Sequence, residues 1–429
     1  MSRRTRLLAA IALLVAGCST APEPTRVTII GIDGATWKVI DPMLAHGELP
    51  EIAALVARGV RADLLSRKPL VSPPVWTTIA TGVPRARHGI RGFLDRDGRL
   101  VSSLGRRVPA LWNLASRAGR RAVVIGWWAT YPAESIDGVV VSDRTLATRR
   151  KSMVRVSGEA SVARTDAGRL VHPPDALDAI DALISLPPPG GDDPEDFDVV
   201  ATMRQEDATI ARSLLRLRES HGPFDLELLL LRGVDPVSHH FWQYHEPDAP
   251  AYLDGHRPTP KQLAARGDPV EEHYRYVDGL IGELVAAGGP QRVTILLSDH
   301  GFEAGYQGFR QRARRGGKLL LGKHSSAAAQ RGIFVAAGGP FAVGLHLEEA
   351  TILDVAPTVL RLLDLPVAED LVGRVLARAF EPAWLAAHPQ RSVPTFPGPP
   401  HDVADPDASP TSPGDDALEE ELRALGYIE

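Results

Sequence analysis

The chain of 429 residues has a single cysteine, Cys18. An intrachain disulfide is therefore excluded, and no thiolate is left for a metal site. Positive charge is not in excess either. Lys and Arg number 48 against 53 Asp and Glu, a net charge of −5. Nucleic acid is held largely by surplus cations, so it is not expected as a partner. Beyond the N-terminal segment, no apolar run approaches the roughly 20 residues needed to span a bilayer. No internal repeat is visible. What remains is globular composition, 44% hydrophobic and 24% charged, enough for a substantial core. The length allows one large α/β domain with insertions, or two domains.

The first residues are not read as part of the fold. Arg3, Arg4 and Arg6 form a basic start, and Leu7 to Ala16 an apolar stretch too short for a bilayer span. Val15-Ala16-Gly17-Cys18 then resembles a bacterial lipobox. That resemblance implies a signal peptide over 1–17, lipidation of Cys18 and a tether over 18–25. Ser19, where an acidic residue would signal retention, implies the outer membrane. The expected location is the cell envelope, lipid-anchored and facing the periplasm. The alternative is an ordinary signal peptide with a chance cysteine.

Several apolar runs end in chemically useful residues. Arg26 to Ile32 reads as a strand buried on both faces, ending in Asp33-Gly34. Asp225 to Leu231 leads into Asp235-Pro-Val-Ser-His239-His240. Arg292 to Leu297 ends in Ser298-Asp299-His300-Gly301, and Gly322-Lys323-His324 precedes a further strand. In open α/β sheets, sites form outside the carboxyl ends of strands. Ser72-Pro73-Pro74-Val75-Trp76-Thr77-Thr78-Ile79-Ala80-Thr81-Gly82 places a hydroxyl on stiff backbone at the start of a helix. The free N–H groups and dipole there favour an anion. His88 reads as a loop histidine holding backbone groups, and Trp127 and Trp128 as core. Asp354 is positioned to cap the helix that follows it.

Three aspartates, three histidines and a hydroxyl thus come together: Asp33, Ser72, Asp235, His239, Asp299, His300 and His324. A mixed carboxylate and imidazole set without thiolate suits two divalent ions of the zinc type. Such a pair clamps the attacking and leaving oxygens of an in-line displacement and activates the hydroxyl as nucleophile. Asp235 and His239 share a helix face at i and i+4.

Gly31-Ile32-Asp33-Gly34, the Ser72–Gly82 stretch, Asp235-x-x-x-His239, Ser298-Asp299-His300-Gly301 and Gly322-Lys323-His324 resemble the alkaline phosphatase superfamily, in its type I phosphodiesterase/nucleotide pyrophosphatase branch. Asp354-Val355-Ala356-Pro357-Thr358-Val359-Leu360 resembles that branch's late helix. The resemblance spans about residues 26–378. It implies an α/β three-layer sandwich with a mainly parallel central sheet, and a hydrolase acting on phosphoric esters. It also implies one metal held by Asp235, His239 and His324, and another by Asp33, Asp299, His300 and the nucleophile. The family commonly has threonine where this chain has Ser72. Thr77 and Thr78 are the fallback nucleophiles, and the register counted back from Thr81-Gly82 favours Ser72.

The expected organisation is a catalytic domain over 26–388 with a cap insertion at about 144–200. A proline-rich tail over 389–429 follows, poorly ordered or extended along the surface, with a short terminal helix. A basic loop carrying Arg310, Arg312, Arg314, Arg315, Lys318 and Lys323 is suited to attract an anion. The expected substrate is small and phosphorylated: a nucleotide, a phosphodiester or a lipid headgroup. A sulfatase is the first rival. Its C/S-x-P-x-R pattern fails here at Trp76. A catalytically inactive, surface-anchored binding protein on the same fold is the second.

Overall fold

The structure is a computed structural model, and it describes residues 25–146, 167–184, 198–253, 255–307, 319–400, 410–412, 414–425 and 427–428. The signal segment with Cys18, the tether up to residue 24, and Arg310, Arg312, Arg314, Arg315 and Lys318 of the basic loop lie outside the described residues.

Among the described residues, ten strands make one sheet. Its strands are β1 Arg26–Ile32, β2 Gly59–Leu65, β3 Ala122–Ile125, β4 Gly138–Val141, β5 Val171–His172, β6 Leu226–Leu231, β7 Arg292–Leu297, β10 Arg331–Ala337, β11 Leu345–His346 and β12 Ala350–Thr351. Two strands between β7 and β10, β8 Glu303–Gln307 and β9 Leu320–Lys323, form a separate antiparallel ribbon. The order across the sheet is β11-β2-β10-β7-β1-β6-β3-β4-β5, and β12 also pairs with β2. The centre is parallel: β1 lies between β6 and β7, and β3 joins β6 to β4. β10 runs antiparallel to both β2 and β7, and β5 antiparallel to β4. The sheet is thus mainly parallel, with antiparallel pairs around β10 and at the β5 edge.

The unbroken apolar runs follow from burial on both faces. Ile29, Leu228 and Leu230 point into one core, while Ile30, Leu229 and Leu231 point into the other. Helices Ser72–Thr81, Leu111–Arg117 and Val355–Leu362 cover the first face. Helices Trp37–Ala45, Pro50–Ala57, Ala176–Ile184, Val199–His221, Val234–His245 and Pro269–Gly288 cover the second. This is the three-layer α/β sandwich.

The described part of 144–200, residues 144–146, 167–184 and 198–200, supplies edge strand β5 and helix Ala176–Ile184, which packs in the second layer. One expectation needs correction. Asp354 does not cap helix Val355–Leu362. Its carboxylate accepts from Thr351 N, Thr351 Oγ1 and Arg374 N instead. The described tail residues 389–400 run along the surface and are tied to the domain. Their strand β14, Ser392–Val393, pairs with β13, Val367–Ala368, and Arg117 donates to the carbonyls of Pro397 and Pro399. Terminal helix Asp415–Leu425 buries Leu418 and Leu422 in the first core.

Candidate active site

The seven predicted residues meet at the carboxyl edge of the parallel strands. Asp33 follows β1 directly, and Asp299-His300 lie just beyond β7. The other four arrive differently from the simple strand-end expectation. Asp235 and His239 sit on the first turns of helix Val234–His245, Ser72 opens its own helix, and His324 follows β9 of the ribbon. All seven are buried.

Local chemistry fixes each position. Gly31 allows Trp76 to press on β1, since a Cβ there would lie 2.7 Å from the indole. Gly34 takes φ of 74°, the left-handed region that glycine enters freely, and so turns the chain after Asp33. Asp207 accepts from the N–H groups of Arg232 and Gly233 (3.0 and 3.2 Å), which pins the turn leading to Asp235. At Ser72, Pro73 and Pro74 fill the first helical turn, where missing N–H groups cost nothing. This corrects the anion expectation: of these three residues only Ser72 has an N–H to offer.

The side chains form two groups with donor atoms in close reach: Asp235, His239 and His324, and Asp33, Asp299 and His300. In the first, Asp235 Oδ1 lies 3.5 Å from His239 Nε2 and 3.7 Å from His324 Nε2. In the second, His300 Nε2 lies 3.6 Å from Asp33 Oδ1 and 3.4 Å from Asp299 Oδ2. Ser72 Oγ donates to Asp33 Oδ1 at 3.4 Å. Two ligands of one tetrahedral zinc ion stand about 3.3 Å apart when each bond is about 2.0–2.1 Å. The separations in both groups are close to that edge.

Buried polar atoms test the fit independently. Asp235 Oδ1, Asp299 Oδ2 and His300 Nε2 have no hydrogen-bond partner. Orphaned buried acceptors are rare and costly, and a cation between them removes the cost. The imidazoles are oriented for it. His239 Nδ1 faces the Gly322 carbonyl at 2.8 Å and His300 Nδ1 the Gly301 carbonyl at 3.1 Å, so each Nε2 turns to the carboxylates. Without a cation, burial and the charges of Asp299 and Asp235 hold the Asp33 carboxyl well above its ordinary range. Burial, with the Asp235 charge, pushes Asp299 up to about 8. Burial, then His300 and His239, holds His324 well below the usual imidazole value. A third group, His245, Asp268 and Glu271, is only partly buried, and there Asp268 caps helix Pro269–Gly288.

The rival residues are engaged elsewhere. Thr77 Oγ1 donates to the Pro73 carbonyl at 2.7 Å and Thr78 Oγ1 to that of Pro74 at 2.8 Å. His88 accepts from Ile90 N and contacts Thr78 Oγ1, and burial lowers it to about 3. Trp127 is core, as expected, and its indole N–H donates to the Trp76 carbonyl. Sequence reasoning missed two residues. The Trp76 indole donates to Asp33 Oδ2 at 3.2 Å, and its signal was the one-turn spacing from Ser72. Tyr427 enters the first group from the far end of the chain, where no motif drew attention to it.

Buried carboxylates and imidazoles grouped in this way could hold cations beside the Ser72 hydroxyl. The family model for type I phosphodiesterase/nucleotide pyrophosphatase matches residues 27–327, and the chain belongs to that family of phosphoric ester hydrolases, within the alkaline phosphatase superfamily. Human ectonucleotide pyrophosphatase/phosphodiesterase 5 has a similar fold, with a TM-score of 0.51 and 14% identity over 83% of this chain and 98% of that one. A putative sulfatase from Bacteroides thetaiotaomicron gives 0.50 and 14% over 87% of this chain and 77% of its own. No curated protein sequence matches the chain.

Proposed function

We propose that this protein is a two-metal phosphodiesterase in which Ser72 is the nucleophile. The supporting observation is the meeting of seven buried residues, with donor atoms left unpaired among them. Asp235, His239 and His324 would hold one ion, and Asp33, Asp299, His300 and Ser72 the other. Nitrogen and carboxylate donors without thiolate suit zinc. Bound ions would supply charge neutralisation at the transferring phosphoryl group and ease ionisation of the Ser72 hydroxyl.

Ser72 Oγ attacks phosphorus in line with the departing ester oxygen, so one P–O bond forms as the other breaks. Its proton is directed at Asp33 Oδ1, which leaves an Oγ lone pair for phosphorus. The Trp76 indole holds the other oxygen of Asp33 and fixes that carboxylate's orientation. Water then attacks the phosphoseryl phosphorus from the side the first alcohol vacated, and the Ser72 oxygen leaves and regains a proton. The substrate is a small phosphorylated molecule: a nucleotide, a phosphodiester or a lipid headgroup. Trp76, where the sulfatase pattern has arginine, speaks against formation of a sulfatase nucleophile at Ser72.

The test is metal content together with rates on bis-nitrophenyl phosphate and nitrophenyl phosphate. The expected result is two zinc ions per chain and faster cleavage of the diester. Faster monoester cleavage would keep the site and change the substrate class. No metal and no turnover would leave the inactive binding protein.

The N-terminal sequence supports a location in the bacterial cell envelope, anchored through lipid on Cys18 and facing the periplasm. Radiolabelled palmitate is expected to enter the wild-type chain in its bacterial host and not Cys18→Ala. Equal labelling of both would remove the anchor.

A further inference from the structure

The last described residues return to the first metal-type group. Tyr427 Oη lies 2.7 Å from Asp235 Oδ2, 2.7 Å from His239 Nε2 and 3.0 Å from His324 Nε2. Both imidazole Nε2 atoms of that group, and the second carboxylate oxygen of Asp235, therefore converge on one phenol oxygen, while Asp235 Oδ1 stays unpaired. A phenol has one hydrogen to give, and three neighbours surround it. These distances are a few tenths of an ångström under the edge of about 3.3 Å that separates ligands on one tetrahedral ion. The oxygen thus stands near the fourth vertex over Asp235, His239 and His324, and a small outward shift would bring it to bonding distance of an ion held there.

The segment that delivers Tyr427 is built into the domain. Arg144, itself buried, pairs with Asp415 at 2.9 Å and donates to the Pro410 carbonyl at 2.7 Å. The same guanidinium donates to the carbonyls of Leu100 and Val101. Leu418 and Leu422 anchor the helix in the core. Tyr427 N–H donates to the Leu422 carbonyl at 2.9 Å, which closes the turn after the helix and sets the direction of the ring. That ring packs on Phe93 with centroids 4.9 Å apart.

We propose that Tyr427 is a fourth protein ligand of the Asp235–His239–His324 metal site, exchangeable for a phosphoryl oxygen of the substrate. The inference rests on the two-metal reading above. When the oxygen binds the ion, its proton, now directed at Asp235 Oδ2, leaves to solvent. A phosphate oxygen then competes for the same position, and the displaced phenolate takes a proton back from solvent as it leaves. The C-terminal segment thereby becomes part of the active site.

The test uses the full chain and Tyr427→Phe, which keeps the ring on Phe93. Both are stripped of metal and titrated with zinc against a chromophoric chelator. They are also loaded with copper(II), whose bond to a phenol oxygen gives a visible charge-transfer band. The expected result is two zinc ions in each chain, with one bound about tenfold to a hundredfold more weakly in the variant. The copper band is expected in wild type only, and added inorganic phosphate should bleach it. Unchanged zinc affinity with no wild-type band would overturn the proposal and leave the two-metal hydrolase standing. Tighter zinc binding by the variant would also overturn it, making the phenol an obstruction. A wild-type chain that binds no metal overturns both readings. Should the variant fail to fold, the wild-type band and its bleaching by phosphate decide alone.

Discussion

Ser72→Ala is expected to lower diester hydrolysis by roughly 10⁴-fold or more, with nearly unchanged thermal stability. The size follows from the role. An enzyme that forms a covalent intermediate loses its route when the attacking oxygen is deleted, and what remains is binding and electrostatic stabilisation. The neighbouring hydroxyls cannot readily substitute, because Thr77 and Thr78 donate to the carbonyls one turn back. Stability should hold because Ser72 begins its helix and its side chain makes one long hydrogen bond, 3.4 Å to Asp33. Rapid-quench trapping of a phosphoseryl intermediate in wild type, absent in the variant, would tie the loss to this atom. Turnover in Ser72→Ala within tenfold of wild type would remove Ser72 from the role and reopen the search among oxygen atoms of the site.

Much of the arrangement was legible in sequence because parallel strands buried on both faces are written as unbroken apolar runs. The residue after such a run must lie at the sheet's edge, which placed Asp33 and Asp299-His300 beyond β1 and β7. The Asp235 and His239 pair was legible for a second reason, the i and i+4 spacing on one helix. Other features carry no such local pattern. The antiparallel course of β10 depends on how the chain returns from the ribbon, and nothing in its apolar run differs from a parallel strand. The edge strand β5 is two residues long, too short for any periodicity. Tyr427 is a single aromatic beyond a terminal helix. Its place depends on Arg144 holding Asp415 across a separation of 271 residues, which no window of sequence contains.

Stripped of metal, the protein is expected to lose stability as pH rises from about 6.5 to about 8, and zinc should reverse that trend. In the metal-free fold the Asp299 carboxyl is pushed from an ordinary 3.8 up to about 8, and Asp33 is raised as well, by burial first and by neighbouring carboxylates second. Between the ordinary and raised values the folded chain binds more protons than the unfolded chain, so stability falls with rising pH. The histidines act in the opposite sense. His324 and His88 are lowered by burial, so their contribution rises with pH, but it is complete once the ordinary imidazole value of 6.5 is passed. Above about 6.5 the carboxylates act without that offset, and the loss should be on the order of a few kcal/mol. Zinc binds only the ionised carboxylates, so its affinity climbs over the same window, and an ion at about a thousand times its Kd adds about 4 kcal/mol per site. Thermal midpoints measured with chelator and with excess zinc should therefore diverge as pH rises. Asp299→Asn separates the causes: it should flatten the metal-free profile, because an amide has no proton to lose, and shrink the gain from zinc. Parallel profiles with and without zinc in the wild-type chain would mean that these buried carboxylates hold no cation, and the unpaired oxygens of Asp235 and Asp299 would then need another partner.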